Sequence, residues 1–369
     1  MSFPKCSLAW MLLALILMAA AAATVPQDSL SAAEFAGLIR NFSEEGGYFF
    51  SDNFTSNEDS YLTVVDKLKQ LGATGGAYIG VGPEQNFTYI AKIRPRIAFI
   101  VDIRRQAMIQ HLMYKAIFHL APTRAAFLSV LLSRPLKSRI PGPNDSINDL
   151  VAYFSGIKPD DKAYAQNLTA IRNTIRSFQV ALSKEDQESL EYVYRNFRSQ
   201  GFEIGFDVNG RWSRRFGHLP NLRELLVQRD LNGKPGSFLA GADDYEFVRN
   251  MQRRNMIIPV VGDFGGKKAL AAVGDYLKKH RYIVTAFYLS NVEIVLFNYG
   301  SNGSFIGFVN NIKKLPINSQ SLLIRSTFWF YGHPAQLPGY RLCTSLQNIS
   351  AFLKEFDEGR YQDYRDLVK

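Results

Sequence analysis

Residues 77–102 read AYIGVGPEQNFTYIAKIRPRIAFIVD, and this stretch decides the fold. Ala77 to Val81 is a short apolar run that passes straight into the turn Gly80-Val-Gly82-Pro-Glu84. Residues 85–93 suit a helix, and Arg94-Pro95 stops it because the residue before proline is pushed out of the helical region. Ile97 to Val101 is again continuously apolar and ends at Asp102, the pattern of a strand covered on both faces. Strand, helix and strand in that order form a βαβ unit with parallel strands.

The same alternation returns towards the C-terminus. Tyr245 to Arg254 has helical spacing, and Met256 to Val261 reads as a strand ending in Gly262-Asp263. Gly265-Gly266 opens a helix carrying Leu270, Val273, Tyr276 and Leu277. Tyr282 to Leu289 is a β-branched and aromatic strand that ends in Ser290-Asn291-Val-Glu293. Phe305 to Ile312 fits a helix, Ser321 to Phe330 a strand, and Ser345 to Phe356 a terminal helix. On the N-terminal side, helices are expected over 28–46 and 61–71.

Between the second and third strands the periodicity is helical: 104–132, then 160–182, then a helix to Gly201 opened by the capping signal Ser183-Lys-Glu-Asp186. Residues 203–240 are rich in Gly, Arg and Asn and read as irregular. The expected fold is α/β: a doubly wound, mostly parallel Rossmann-like sheet with a helical insertion at about 135–240, between strands two and three.

The first residues carry a different signal. Lys5 supplies a positive start, Leu8 to Met18 an apolar core, and Ala19 to Ala23 small residues for cleavage. Residues 1–23 therefore read as a secretory signal peptide, with the Rossmann-like domain spanning 24–369 and an uncleaved anchor as the rival reading. Either way the domain is exported, periplasmic or secreted. The mature N-terminus is expected between Ala22 and Val25. Mass spectrometry of protein from its native host checks this, and an intact Met1 on cytoplasmic protein contradicts it. No later apolar stretch is long enough to span a bilayer.

Without Cys6 the mature chain keeps only Cys343, so no internal disulfide and no cysteine-based zinc site is available. The histidines show no ligand spacing, and no metal is expected. The chain carries 43 basic against 33 acidic residues, a net charge of +10. That excess favours anionic partners such as envelope components, although the basic residues are scattered and no aromatic-interleaved nucleic-acid motif occurs. No nucleophile elbow, P-loop or catalytic Cys-His pattern is present.

In an open α/β sheet, ligands bind beyond the carboxyl ends of the strands. The strand-end residues are Gly80, Gly82 and Glu84, then Asp102, Asp263, and Ser290 with Asn291. Gly80-Val-Gly82 lets a ligand approach the backbone. Asp102 sits where a carboxylate can accept hydrogen bonds from ribose hydroxyls, and Asp263 can hold an adenine amino group. The same residues also occur in ordinary tight turns. The block Ser51-Asp52-Asn53 to Ser56-Asn-Glu58, flanked by Phe49, Phe50, Phe54 and Tyr61, reads as a ligand-facing loop or as an Asx-turn cluster. A strand-end carboxylate contributes little to a core, so Asp102→Ala is expected to weaken a nucleoside-like ligand while leaving the fold intact.

Taken together, Gly80-Val-Gly82-Pro-Glu84, Ile100-Val-Asp102, Val261-Gly-Asp263 and Leu289-Ser-Asn291 resemble the class I S-adenosylmethionine-dependent methyltransferase-like superfamily. That resemblance implies S-adenosylmethionine as cofactor. It places the glycine turn along the methionine part, Asp102 at the ribose, Asp263 near the adenine, and Ser290 and Asn291 facing the transferred methyl group. Two departures stand out. Tyr78-Ile79 replace the acidic residue usual at the end of strand one, and Pro83-Glu84 replace the third glycine. Residues 51–58 together with Phe99 to Gln106 also resemble a family of uncharacterised exported bacterial proteins. Two functions follow as expectations: an exported methyltransferase, or a non-catalytic extracytoplasmic binding protein that has kept the fold.

Overall fold

The computed structural model describes residues 28–207, 217–298 and 303–368; residues 1–23, where a signal peptide is expected, and with them Cys6, lie outside these. Its centre is the βαβ unit, now with bounds: β1 Ala77–Gly80, α3 Gln85–Ile93 and β2 Ile97–Asp102. Ahead of it lie α1 Ala32–Phe42 and α2 Val65–Gln70. After it come the helices α4 Arg105–Leu120, α5 Arg124–Leu132, α6 Ile147–Ser155, α7 Asp161–Ser177, α8 Lys184–Gln200, α9 Leu222–Val227 and α10 Ala242–Arg253. The C-terminal part runs β3 Ile257–Val261, α11 Ala269–Lys279, β4 Val284–Ser290, α12 Val292–Asn298, α13 Ser304–Lys313, β5 Leu322–Phe328, β6 Leu342–Asn348 and α14 Ile349–Asp357.

The fold is α/β around one six-stranded mixed sheet in the order β3-β2-β1-β4-β5-β6. The first five strands are parallel and β6 pairs antiparallel with β5. β1, β2 and β3 are buried along their whole length, as apolar runs without alternation require. Phe99 of β2 packs against Phe42 of α1 and Tyr276 of α11, whereas α4 packs on β2 and β3 from the α7, α8 and α10 side. Helices therefore cover both faces, and only the strand ends remain for a ligand.

Local sequence sets several boundaries. Ser183 caps α8 in a capping box with Asp186, and that carboxylate also takes a bidentate bond from Arg105 of α4 at 2.6 and 2.7 Å. The expected helix over 104–132 is instead two, because Pro122 interrupts the run and Thr123 caps α5. The expected terminal helix is shorter than its reading: residues 345–348 belong to β6, and the helix starts at Ile349 with Asn348 as its cap. The "irregular" 203–240 contains α9 among its described residues, capped by Asn221 and Glu224.

No helix among the described residues is long and apolar enough to cross a membrane.

Candidate functional site

A cleft of about 740 Å³ opens beyond the carboxyl ends of the parallel strands. β1 contributes Gly82 and Pro83 just past its end, β2 Asp102, β3 Gly262 and Asp263, β4 Tyr288 with Ser290 and Asn291, and β5 Phe328. The cleft thus sits where the strand order turns from β1 to β4, the switch point at which α/β sheets leave a crevice. Two aromatic segments line it: Tyr48, Phe49 and Phe50, and Phe328, Phe330 and Tyr331. Phe49 stacks on Phe50 at 4.4 Å between centroids, and Phe328 on Phe330 at 5.4 Å.

Not every strand-end residue reaches this space. Gly82 does: it adopts φ +77° with open space where a Cβ would stand, so the backbone can be approached. Its carbonyl is tied down by Asn86 Nδ2 at 3.0 Å and by the His111 ring at 2.8 Å. Gly80 does not line the cleft. A Cβ there would meet Asn86 Oδ1 at 2.0 Å, so this glycine makes room for the protein's own Asn86 and Tyr78 rather than for a ligand. Glu84 also points elsewhere. It is 5 % exposed beside a small internal cavity with Tyr61 and Thr88, and one oxygen accepts from the Ser56 amide at 3.2 Å. Burial pushes its carboxyl up to about 7.

Asp102 lies on the cleft wall, but its oxygens are spoken for. Arg104 donates to Oδ1 from its amide at 2.9 Å and from Nε at 3.1 Å, and to Oδ2 from NH2 at 2.9 Å. Both side chains are under one-tenth exposed. The expectation of a carboxylate open to ribose, and dispensable to the fold, is therefore corrected: Asp102 holds a buried guanidinium in place. Arg104 also donates to the Asp52 carbonyl, which ties the 51–58 loop to the end of β2.

Asp263 faces the cleft with Oδ1 accepting from Gly265 at 2.9 Å, a two-residue Asx turn. The helix start expected at Gly265-Gly266 lies at Ala269 instead. Its exposed amides are already capped, since Glu44 accepts from Lys268 at 3.1 Å and Ala269 at 2.6 Å.

The loop 51–58 divides. Asn53 lines the cleft in a left-handed conformation, φ 48°. Ser51 and Asp52 face α8 and the segment after it: Ser51 donates to the Phe206 carbonyl at 3.4 Å, and Asp52 accepts from Tyr192 at 3.3 Å. Glu58 lies just behind the lining and is fully buried. Its Oε1 accepts from Ser290 at 2.5 Å and Tyr288 at 2.7 Å, its Oε2 from Gln85 at 2.9 Å. Burial raises this carboxyl above the usual range, and the bonds from Ser290, Gln85 and Tyr288 act against that rise. Ser290 itself sits at φ 51°, a strained position for a non-glycine residue, and it turns its hydroxyl between Glu58 and the cleft.

The sequence reading thus brought Gly82, Asp102, Asp263, Ser290, Asn291 and Asn53 to one cleft, and Glu58 to its floor. It missed Arg104, whose place two residues after a strand-end aspartate was the available signal. Tyr288 and Gln85 were missed because each reads as an ordinary strand or helix residue.

A family model described as "Domain of unknown function (DUF7790)" matches residues 53–138 and 146–369. The match takes in every strand and the cleft residues from Asn53 onwards. No curated protein matches the chain.

Proposed function

The chain belongs to the DUF7790 family, whose description assigns no activity, and from the cleft we propose that it binds a nucleoside-like small molecule. S-Adenosylmethionine is the first candidate, on a Rossmann-like, doubly wound sheet carried by an exported protein. The observation that supports this most is the position of the cleft. It lies beyond five parallel strands ordered 3-2-1-4-5, at the turn of the order, with an open glycine and a strand-end carboxylate on its walls. Its volume lies within the roughly 300–1,000 Å³ of small-molecule sites.

The residues fit such a ligand in part. Gly82 offers its backbone, and the free side of the Asp263 carboxylate can accept an adenine amino group. Asp102 fits less well, because both of its oxygens already accept from Arg104, so it serves first by fixing the wall. S-Adenosylmethionine supplies an electrophilic methyl group when bound, and Ser290 and Asn291 are the lining residues placed to face it. The engagement of Asp102 favours the second reading, a non-catalytic extracytoplasmic binding protein that keeps the fold without methyl transfer. The basic surface charge supports contact with anionic envelope components in either case.

Asp263→Asn separates a ligand contact from a fold contact. The amide oxygen can keep the bond from Gly265, while the amide nitrogen turns an acceptor into a donor. Affinity for S-adenosylmethionine is expected to fall about tenfold to a hundredfold, with unfolding unchanged. Calorimetric titration of the purified chain reads this. No binding by the unmodified protein overturns the nucleoside reading, and unchanged affinity in the variant removes Asp263 from the site.

A further inference from the structure

The geometry points to Ser290 as a nucleophile activated by Glu58, and so to a hydrolytic activity of the cleft on small carboxylic esters. The inference goes beyond the nucleoside reading and needs no nucleoside in the cleft.

The backbone is the first ground. β4 ends at Ser290 and α12 begins at Val292, so the serine stands at a strand-to-helix turn on the carboxyl edge of the parallel strands. Its φ of 51° is one that a residue with a side chain rarely adopts, and the ladder to β5 slips between Tyr288 and Ser290. Irregularities of this kind re-aim a side chain. Ser290 lines the cleft from there, as the nucleophile of an α/β hydrolase does from its strained turn. The local sequence Tyr288-Leu-Ser-Asn-Val292 lacks the flanking glycines of G-x-S-x-G, so no motif announces the turn.

Hydrogen bonding is the second. A serine nucleophile needs a base within reach and a further group that orients the base. Ser290 Oγ lies 2.5 Å from Glu58 Oε1, which also accepts from Tyr288 at 2.7 Å, while Gln85 donates to Oε2 at 2.9 Å. The groups that face this buried carboxyl are uncharged: Tyr288 and Ser290 of β4, Gln85 and Tyr89 of α3, Tyr78 of β1 and Ser326 of β5. Burial among them raises it, which makes its anion a stronger acceptor of a hydroxyl proton than an exposed carboxylate. The base has to be ionised only while it takes that proton, and its three donors favour this form.

The lining is the third. Asn57 and Asn291 bring side-chain amides to the same cleft, the type of donor that stabilises an oxyanion. The Asp263 carboxylate disfavours anionic substrates, which leaves neutral esters.

The reaction consumes an ester and water. Ser290 Oγ bonds to the acyl carbon as its proton passes to Glu58, and the bond to the alcohol oxygen breaks as Glu58 protonates that oxygen. Water then attacks the acyl-serine and gives a proton to Glu58. The acyl bond to Oγ breaks, the acid leaves, and the proton returns to Oγ.

A fluorophosphonate, which bonds to activated serines with loss of fluoride, tests this on the purified chain. Mass spectrometry is expected to find one adduct, on Ser290. Ser290→Gly suits the positive φ, so it should fold and take no label. Glu58→Gln should slow labelling about a hundredfold. Labelling of the unmodified protein should accelerate with pH as Glu58 ionises. Hydrolysis of 4-nitrophenyl acetate above the Ser290→Gly background should follow the same profile, which carries the test if Glu58→Gln does not fold. The inference is overturned if the folded protein takes no label at millimolar probe, or takes it elsewhere than on Ser290. It is equally overturned if folded Glu58→Gln labels as fast as the parent, or if the rate does not change with pH. A labelled Ser290 in a protein that binds no S-adenosylmethionine ends the nucleoside reading and leaves this one standing.

Discussion

Asp102→Ala is expected to destabilise the domain by about 3–5 kcal/mol, the cost of leaving one member of a buried ion pair without its partner. Asp102 and Arg104 are 7 % and 8 % exposed at their side chains, so water cannot take over the lost contacts. The guanidinium would keep its bond to the Asp52 carbonyl and its place 6.0 Å from the centre of the Phe49 ring. It would lose its two bonds to the carboxylate, the Arg104 amide would lose a third, and the guanidinium would stand as an uncompensated charge at the end of β2. Urea unfolding reads the effect as a lower midpoint at constant slope. The paired variant Asp102→Leu with Arg104→Met removes both charges and should recover much of the loss. A midpoint for Asp102→Ala within error of the parent would mean that the pair does not hold the loop to the strand.

Lys115→Met is expected to work in the opposite direction, stabilising the domain by about 2–3 kcal/mol at pH 7. Lys115 lies in the middle of α4 and is fully buried, with its ammonium donating to the Gln252 carbonyl between the rings of Phe35 and Phe178, 4.6 and 4.7 Å away. Burial pushes it down to about 7 from an ordinary 10.5. At about 1.4 kcal/mol per unit, this corresponds to a penalty of about 4–5 kcal/mol, against which the lost cation–π contact counts about 2. The Gln252 carbonyl stays satisfied in the variant, because it also accepts from Asn255 at 3.2 Å.

The sign with pH follows from linkage. Between about 7 and 10.5 the unfolded chain binds the proton that the folded chain has released, so stability rises with pH across that window. Below pH 7 both states hold it, and the penalty is full and constant. Thermal or urea unfolding at pH 7 and pH 9.5 should therefore show the gap between variant and parent closing as pH rises. A gap that stays constant or widens would mean that Lys115 is not the group responsible.

Neither residue announced its role in the sequence. Lys115 interrupts no pattern that a helical run forbids, since one lysine on an amphipathic helix ordinarily faces water. Only the packing of Phe35 of α1, Phe178 just past α7 and Gln252 of α10 around it closes that face. Asp102 was legible as a strand-end carboxylate, and its place in the cleft follows from the parallel strands. What was not legible is that Arg104 folds back on it, because a two-residue return depends on the turn at Ile103 and on the loop that accepts Arg104 from the other side.

The central strands were read correctly for a simple reason. A strand buried on both faces must be apolar at every position, and AYI and IAFIV leave no other economical reading. β6 was missed because an edge strand carries no such constraint. Leu342–Asn348 is buried in its first half only, and its conformation is decided by the open edge of β5 that it completes. The glycines show the same division. Gly82 could be placed at a ligand-accessible turn from its position after a strand, whereas the need for Gly80 arises from Asn86 folding into the space beside it.

The sequence by itself determined the α/β class, the parallel β1 to β4 core and the set of strand ends from which a site had to be built. These depend on periodicity and apolar runs, which are local. The tertiary structure alone decided which strand-end groups are free and which are spent. It paired Asp102 with Arg104, turned Glu84 away from the cleft, and set Glu58 behind Ser290 with three donors around it. Hydrogen bonds and desolvation act over a few ångströms between residues that can lie more than two hundred positions apart in the chain, as Glu58 and Ser290 do.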